Sequence, residues 1–220
     1  MPVKNNILFI HIPKTGGTSI ERLFDMVPIK SKIPCKESLY GSITVDDKLY
    51  ELQHLTYSEA AKMIDVDGAY SFAFVRNPFD RIVSEYEWLG KKYFSQFEDY
   101  CRFICLREGR PDIRCPGDES YDTDEYFHWF FNYTHYTPQY EFVYHNNKIA
   151  VDFLGRFENF QNDLKYVLEI TNTEYDPMAL SEKHNTTKHD HYSTYYTDRL
   201  IEMVSVLYKK DLDMFDYSFS

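Results

Sequence analysis

The sequence predicts an α/β fold with a central parallel β-sheet and helices on both of its faces. Two stretches support this prediction, because each reads as a short buried strand, a turn and an amphipathic helix; they occupy residues 7–27 and 70–89. Residues 150–168 repeat the same order of strand, turn and helix. Strands that alternate with helices along a chain are typical of parallel sheets.

The length and composition of the chain fit one globular domain. We expect its 220 residues to form a single domain over residues 1–220, a size that allows a stable core without disulfides or metals. Its formal net charge of −11 argues against non-specific nucleic-acid binding. Residues 1–40 are instead locally basic, with six lysines and arginines against three acidic residues. This local excess suits an anionic ligand.

A glycine-rich turn follows the first predicted strand, residues 7–10. Backbone N–H groups in a strand–turn–helix arrangement converge on one point and favour a phosphate-like anion there. The residues expected to bind it through charge, hydroxyl donors and close backbone approach are Lys14, Thr15, Gly16, Gly17, Thr18 and Ser19. An ordinary strand-to-helix turn is the alternative. The turn is not a Walker A loop, because its lysine precedes the glycines.

The second strand–turn–helix stretch places an arginine at the end of a strand. Residues 70–75 are predicted to be buried, Arg76 follows them, and Pro78 suits the first turn of the next helix. Ligands of open α/β sheets bind at this carboxyl edge of the strands. Ser84 lies two turns inside the helix and off its main apolar stripe. A structural salt bridge is the alternative role for Arg76.

A histidine lies just ahead of another predicted helix. Thr56 and Glu59 fit a capping box, and Tyr57 begins the helical spacing of apolar residues. His54 is therefore expected in a loop, where a packing or solvent-facing role is the simplest interpretation. The preceding residues, 28–50, read as a loop with one short strand at residues 42–45.

The remaining segments predict little chemistry of their own. Residues 109–125 resemble an acidic inserted loop, and residues 126–144 are dense in aromatic side chains that form either core or a sugar-stacking platform. His189 and His191 lack a third ligand at a suitable spacing, so we expect no metal. The last helix is predicted from Leu200 to near Asp211.

Targeting signals and cysteines bear on the compartment. No apolar run approaches the ~18–20 residues of a membrane span, and the N-terminus lacks a signal-peptide core. A complete chain would therefore be cytoplasmic and not inserted in a membrane. The four cysteines, Cys35, Cys101, Cys105 and Cys115, would then be reduced. In a trimmed secretory domain, Cys105 and Cys115 could pair.

Several of these stretches together resemble the sulfotransferases that use 3′-phosphoadenylyl sulfate (PAPS), in the branch of Golgi-type carbohydrate O-sulfotransferases. Residues 11–19 are similar to the family's 5′-phosphosulfate loop, and residues 74–86 to its 3′-phosphate element. Residues 136–139, 151–160 and 184–212 are similar to further, less specific stretches. The resemblance implies a P-loop-like three-layer domain. Because the family's Golgi members carry a membrane anchor, a trimmed chain would belong in the Golgi lumen.

The resemblance also implies roles for individual residues. The glycine turn would hold the 5′-phosphosulfate, with Lys14 countering charge on the leaving oxygen; Arg76 and Ser84 would hold the 3′-phosphate. His54 occupies the position of the family's general base, with His135 as the next candidate. Asn185 and Thr187 would belong to a loop that covers the cofactor.

The resemblance implies transfer of a sulfuryl group from PAPS to a hydroxyl of an acceptor, with a carbohydrate as the favoured acceptor. The other product would be adenosine 3′,5′-bisphosphate, and the reaction would need no metal. The alternatives are a P-loop-type nucleotide kinase or NTPase, which would bind ATP, and a non-catalytic nucleotide-binding module, which would bind without turnover.

Overall fold

The structure is a computed structural model that describes residues 3–26, 42–45, 48–107, 133–181 and 189–220. Predictions that fall outside these residues concern the inserted loop 109–125, most of the loop before residue 42, Asn185, Thr187, Cys35 and Cys115. The described chain divides into two compact units. The first is drawn from Met1–Arg76 and Gln139–Thr186, and the second from Asn77–Pro138 and Thr187–Ser220.

The first unit contains the predicted sheet. Its strands are β1 (Val3–Lys4), β2 (Ile7–Ile10), β5 (Tyr70–Val75) and β8 (Phe153–Arg156), in the order β1-β2-β5-β8. The pairs β2–β5 and β5–β8 are parallel, whereas β1 is an antiparallel edge strand. Two separate hairpins complete the strands: β3 (Ser42–Val45) with β4 (Lys48–Glu51), and β6 (Tyr144–His145) with β7 (Lys148–Ile149).

Helices of the first unit cover the sheet. They are α1 (Gly17–Leu23), α2 (Tyr57–Met63), α5 (Gln139–Val143), α6 (Phe160–Ile170) and α7 (Pro177–Ser181). Phe9, Phe72 and Phe74 from the strands pack with Ile20 of α1 and Leu164 of α6 in one buried cluster. The predicted α/β fold with a parallel sheet flanked by helices is therefore confirmed.

The second unit is helical in its described residues. It contains α3 (Pro78–Trp88), α4 (Phe97–Arg107), α8 (Asp198–Leu207) and α9 (Lys209–Phe215). Asn77 caps α3 by accepting from the Phe79 N–H, and Pro78 occupies the first helical turn as predicted. Aromatic and aliphatic side chains of α3, α4 and α8 form its core, and Leu212 of α9 packs against that core. No helix in the described parts of the chain has the length and apolarity to cross a membrane.

Three sequence predictions are corrected. The strand expected at residues 150–153 is β8, Phe153–Arg156. Gly155 belongs to this strand and pairs with Phe74 of β5, whose ring lies 2.6 Å from where a Cβ of residue 155 would be. The last helix does not run on to Asp211: it ends at Leu207, and α9 follows. His54 is not in an open loop, because it ends a 3₁₀ turn, Leu52–His54, and is buried.

Candidate active site

The turn between β2 and α1 has a distinctive backbone. Lys14 and Gly16 both adopt left-handed conformations, with φ of 67° and 88°. The buried Thr15 lies between them, and its hydroxyl donates to the carbonyl oxygen of Ile12 at 2.8 Å, so this hydroxyl stabilises the turn itself. Turns of this kind make concave backbone surfaces that bind anions. Because the left-handed conformation costs a lysine about 1–2 kcal/mol, neighbouring contacts must hold it.

Arg76 supplies one of those contacts. Its Nη1 donates to the carbonyl oxygen of Lys14 at 3.1 Å, and its guanidinium lies over the ring of Phe157 at 4.1 Å. The side-chain amide of the fully buried Gln139 pairs with the Arg76 main chain, accepting from its N–H at 2.9 Å and donating to its carbonyl at 2.8 Å. The structure thus joins the two predicted anion-binding elements, the turn and Arg76. Their contacts with a cofactor stay predictions.

Gly17 owes its identity to the packing of a histidine. A Cβ at this position would lie 2.0 Å from Nε2 and 2.1 Å from Cδ2 of His11. At Gly16 the reasons are the positive φ and the ring of Phe160, which lies 2.6 Å from the Cβ position. Both glycines are therefore required by the fold of the turn, in addition to any approach of a ligand.

A buried carboxylate organises the residues beneath the turn. Glu21 Oε1 lies 2.6 Å from His11 Nδ1, and the Gln53 side-chain amide donates to both Glu21 oxygens at 2.9 Å. Burial alone would raise the pKa of Glu21, but the charge of His11 and hydrogen bonds from His11 and Gln53 outweigh it, so this pKa lies below its usual value. None of these three residues has an individual role predicted from the sequence.

His54 is fixed against the same network. Its Nδ1 lies 2.9 Å from the main-chain oxygen of His11, and the two histidine rings meet edge to face with their centres 4.6 Å apart. Because a carbonyl oxygen only accepts, Nδ1 of His54 carries the proton, and the basic lone pair of the neutral ring is on Nε2. The structure therefore places the predicted base in the same unit as the turn and Arg76.

The second unit holds the two other candidates. Ser84 is buried in α3, and its predicted contact with a 3′-phosphate stays a prediction. His135 is also buried: its Nδ1 lies 3.0 Å from Glu85 Oε1, and its ring stacks on Trp88 with the centres 5.7 Å apart. Arg81 donates to the His135 carbonyl oxygen at 2.9 Å. These contacts give His135 a clear packing role within its unit.

The histidines at residues 189 and 191 make mostly short-range contacts, apart from His189 Nε2, which lies 4.0 Å from Asp80 Oδ1. His189 Nδ1 lies 2.7 Å from the Asp190 carbonyl oxygen, and His191 Nδ1 lies 2.7 Å from Ser193 Oγ. In the segments that the structure describes, no three His, Cys, Asp or Glu side chains are grouped so as to hold a metal ion.

Comparisons with known proteins identify relatives of the chain. The model of the sulfotransferase family matches residues 1–218. Carbohydrate sulfotransferase 10 of Pongo abelii is 23% identical over 248 aligned positions, which cover 97% of this chain and 65% of that protein. Carbohydrate sulfotransferase 10 of Danio rerio is 21% identical over 253 positions, which cover 97% of this chain and 64% of that protein. No solved structure matches significantly.

The family match includes both predicted phosphate-binding stretches and extends over nearly the whole chain. It favours the sulfotransferase hypothesis over a nucleotide kinase or NTPase. The chain spans 65% and 64% of the length of the two curated relatives. The chain belongs to the sulfotransferase family.

Proposed function

We propose that this protein transfers the sulfuryl group of PAPS to a hydroxyl of a carbohydrate acceptor. Membership of the sulfotransferase family supports the reaction class. The two relatives, both carbohydrate sulfotransferases, support the acceptor class. The proposal rests on one observation. His54 Nδ1 is hydrogen-bonded to the main-chain oxygen of His11, the residue between β2 and the turn, and this bond leaves Nε2 as the basic nitrogen.

The residues of the turn fit an anionic donor. Left-handed backbone at Lys14 and Gly16 supports a concave N–H surface, and the Arg76 guanidinium lies against the carbonyl of Lys14. We assign Lys14 and the turn to the 5′-phosphosulfate, and Arg76 to the 3′-phosphate. Lys14 would counter the charge that grows on the leaving phosphate oxygen. PAPS, when bound, supplies an activated sulfuryl group and leaves as adenosine 3′,5′-bisphosphate.

We assign His54 the role of general base. The acceptor O–H gives its proton to Nε2 as its oxygen bonds to sulfur, and the bond between sulfur and the leaving phosphate oxygen breaks. Because Nδ1 donates to the His11 carbonyl, that hydrogen bond strengthens as the ring becomes positively charged. Sulfuryl transfer resembles phosphoryl transfer in needing mainly positioning and charge stabilisation.

The chain's own charge narrows the acceptor class. A net charge of −11 repels a densely sulfated polymer, so we propose a neutral or lightly charged glycan. Residues 182–188 lie outside the described part of the chain, so the assignment of Asn185 and Thr187 to the donor rests on resemblance alone.

The test is transfer of labelled sulfate from PAPS to a panel of neutral glycans, sulfated glycans, small alcohols and tyrosine peptides. We expect label in a neutral glycan and little in the others. Sulfation of a tyrosine peptide without any active glycan would contradict the acceptor class. Binding of adenosine 3′,5′-bisphosphate without turnover on any acceptor would instead indicate a non-catalytic binding module.

A further inference from the structure

One buried carboxylate ties together three segments around the candidate base. The Glu21 side chain, on α1, is only 3% exposed. Its partners are His11, the residue after β2, and Gln53, in the 3₁₀ turn before α2. A carboxylate buried to this degree is tolerated only where hydrogen bonds and opposite charge compensate for lost water. Here those compensating groups both adjoin His54.

The two partners of Glu21 reach His54 by different routes. Gln53 is its neighbour in the chain. His11 contacts His54 in two ways. Its main-chain oxygen accepts the hydrogen bond from His54 Nδ1, and the two rings pack edge to face. We propose that Glu21 is a positioning residue that holds His54, through His11 and Gln53, in the orientation and tautomer that present Nε2 as the base. This inference rests on the proposed function.

The packing around His11 restricts the orientation of its ring. One edge faces Gly17, whose missing Cβ provides the space, and one face stacks on Phe9 with the ring centres 5.4 Å apart. The Glu21 oxygen fixes the remaining rotation by accepting from Nδ1. In Glu21→Gln an amide NH₂ group replaces one carboxylate oxygen, so a donor meets either the His11 Nδ1 proton or the Gln53 amide. The His11 ring can then turn, which changes the surface against which the His54 ring packs. His54 could then exchange its Nδ1 hydrogen bond for the other tautomer.

The test compares Glu21→Gln with a matched control, Glu87→Gln. Glu87 lies in the other unit, and its carboxylate also has two partners, Lys91 and Tyr195. Both carboxyl groups have a pKa below the usual value, so the control reports the general effect of neutralising such a group. We expect Glu21→Gln to lower kcat by about 10–10²-fold, with the Kd for adenosine 3′,5′-bisphosphate unchanged. The control should keep wild-type kcat.

Nitrogen-15 NMR of the histidine rings provides a readout that needs no turnover. Wild-type His54 should show a protonated Nδ1 and an unprotonated Nε2. The His54 signals are assigned by their loss in His54→Gln. In Glu21→Gln we expect both tautomers. Gln53→Met removes the side-chain amide that donates to Glu21 while keeping a side chain of similar length. It should shift the populations in the same direction by less, and it replaces Glu21→Gln in the test if that variant does not fold.

The outcomes separate this inference from the proposed function. Unchanged kcat and an unchanged His54 tautomer in a folded Glu21→Gln protein would overturn the positioning role, leaving Glu21 with a purely structural one. A wild-type protein that transfers no sulfate to any acceptor would overturn the proposed function. In that case the NMR comparison would still decide whether Glu21 controls the His54 tautomer.

Discussion

Replacing Gly17 by alanine tests whether the His11 ring packs under the turn as the structure shows. The new methyl group would lie 2.0 Å from Nε2 and 2.6 Å from Cε1 of His11, so the ring must move. Overpacking of this kind costs about 1–3 kcal/mol. If the ring also leaves Glu21, a buried carboxylate loses a partner at about 1–3 kcal/mol more. Better helix propensity at the start of α1 offsets at most about 1 kcal/mol.

A double-mutant cycle isolates the contact. In a His11→Ala background the methyl group has space, so Gly17→Ala should be neutral or stabilise the protein by about 0.5–1 kcal/mol. The assay is urea unfolding at pH 7 of the wild type, both single variants and the double variant, compared at constant m-value.

Gly68 provides the matched control for a glycine-to-alanine change. Its φ is +76° and nothing lies within 4 Å of its Cβ position, so Gly68→Ala should cost about 1–2 kcal/mol from backbone strain alone. That cost should be the same with His11 or Ala at residue 11. Equal destabilisation by Gly17→Ala in both backgrounds, or none in the wild type, would show that the His11 ring does not pack against Gly17.

Three further predictions concern the charged groups of the site. Lys14→Ala should weaken the binding of adenosine 3′,5′-bisphosphate, measured by calorimetry, and should also slow turnover, because the lysine meets negative charge in the ground state and the transition state. A variant that loses only binding or only turnover would contradict this role. In the wild type, adenosine 3′,5′-bisphosphate should raise the melting temperature far more than AMP. Arg76→Ala should remove most of that difference, because it weakens binding of the bisphosphate by roughly 1.5–3 kcal/mol. Equal melting-temperature shifts with both nucleotides in the wild type would exclude a 3′-phosphate site. The folded-state pKa of Glu21 is depressed below 4.5, so its stabilising effect is present above that pH and is lost as the pH falls further. Unfolding free energies measured from pH 7 to 3 should therefore fall more steeply for the wild type than for Glu21→Gln. Parallel curves would contradict the depressed pKa of Glu21.

Local sequence patterns predicted the elements that carry the site. The apolar runs at residues 7–10 and 70–75 are β2 and β5. The capping box before α2 is present: Glu59 N–H donates to Thr56 Oγ1 at 3.1 Å, and Thr56 N–H donates to the Glu59 carboxylate at 3.0 Å. Signals of this kind depend on residues three or four positions apart, so a single sequence contains them.

The network around His54 is not visible in such patterns. Glu21 and Gln53 are 32 residues apart, and His54 and His11 are 43 apart. Only folding brings these side chains together, and no local spacing distinguishes Glu21 from a solvent-exposed acid on α1. The nearest signal is Gly17, whose lack of a side chain indicates ligand approach in the sequence but makes room for the His11 ring in the structure.

The error at β8 has a similar origin. A glycine after an apolar run normally indicates a turn, and Gly155 was interpreted in that way. In the sheet Gly155 pairs with Phe74, whose ring fills the space of the missing side chain. The identity of the residue on the neighbouring strand decides this case, and that strand is about 80 positions away in the sequence.

The most direct test of the account is a single-turnover reaction with saturating PAPS and an active glycan, comparing the wild type with His54→Ala. The wild type should form sulfated glycan and adenosine 3′,5′-bisphosphate in equal amounts. His54→Ala should bind the donor normally but react about 10²–10⁴-fold more slowly, and its rate should no longer fall as the medium becomes acidic. A His54→Ala rate close to that of the wild type would contradict the account, and the base would then have to be sought elsewhere, beginning with His135.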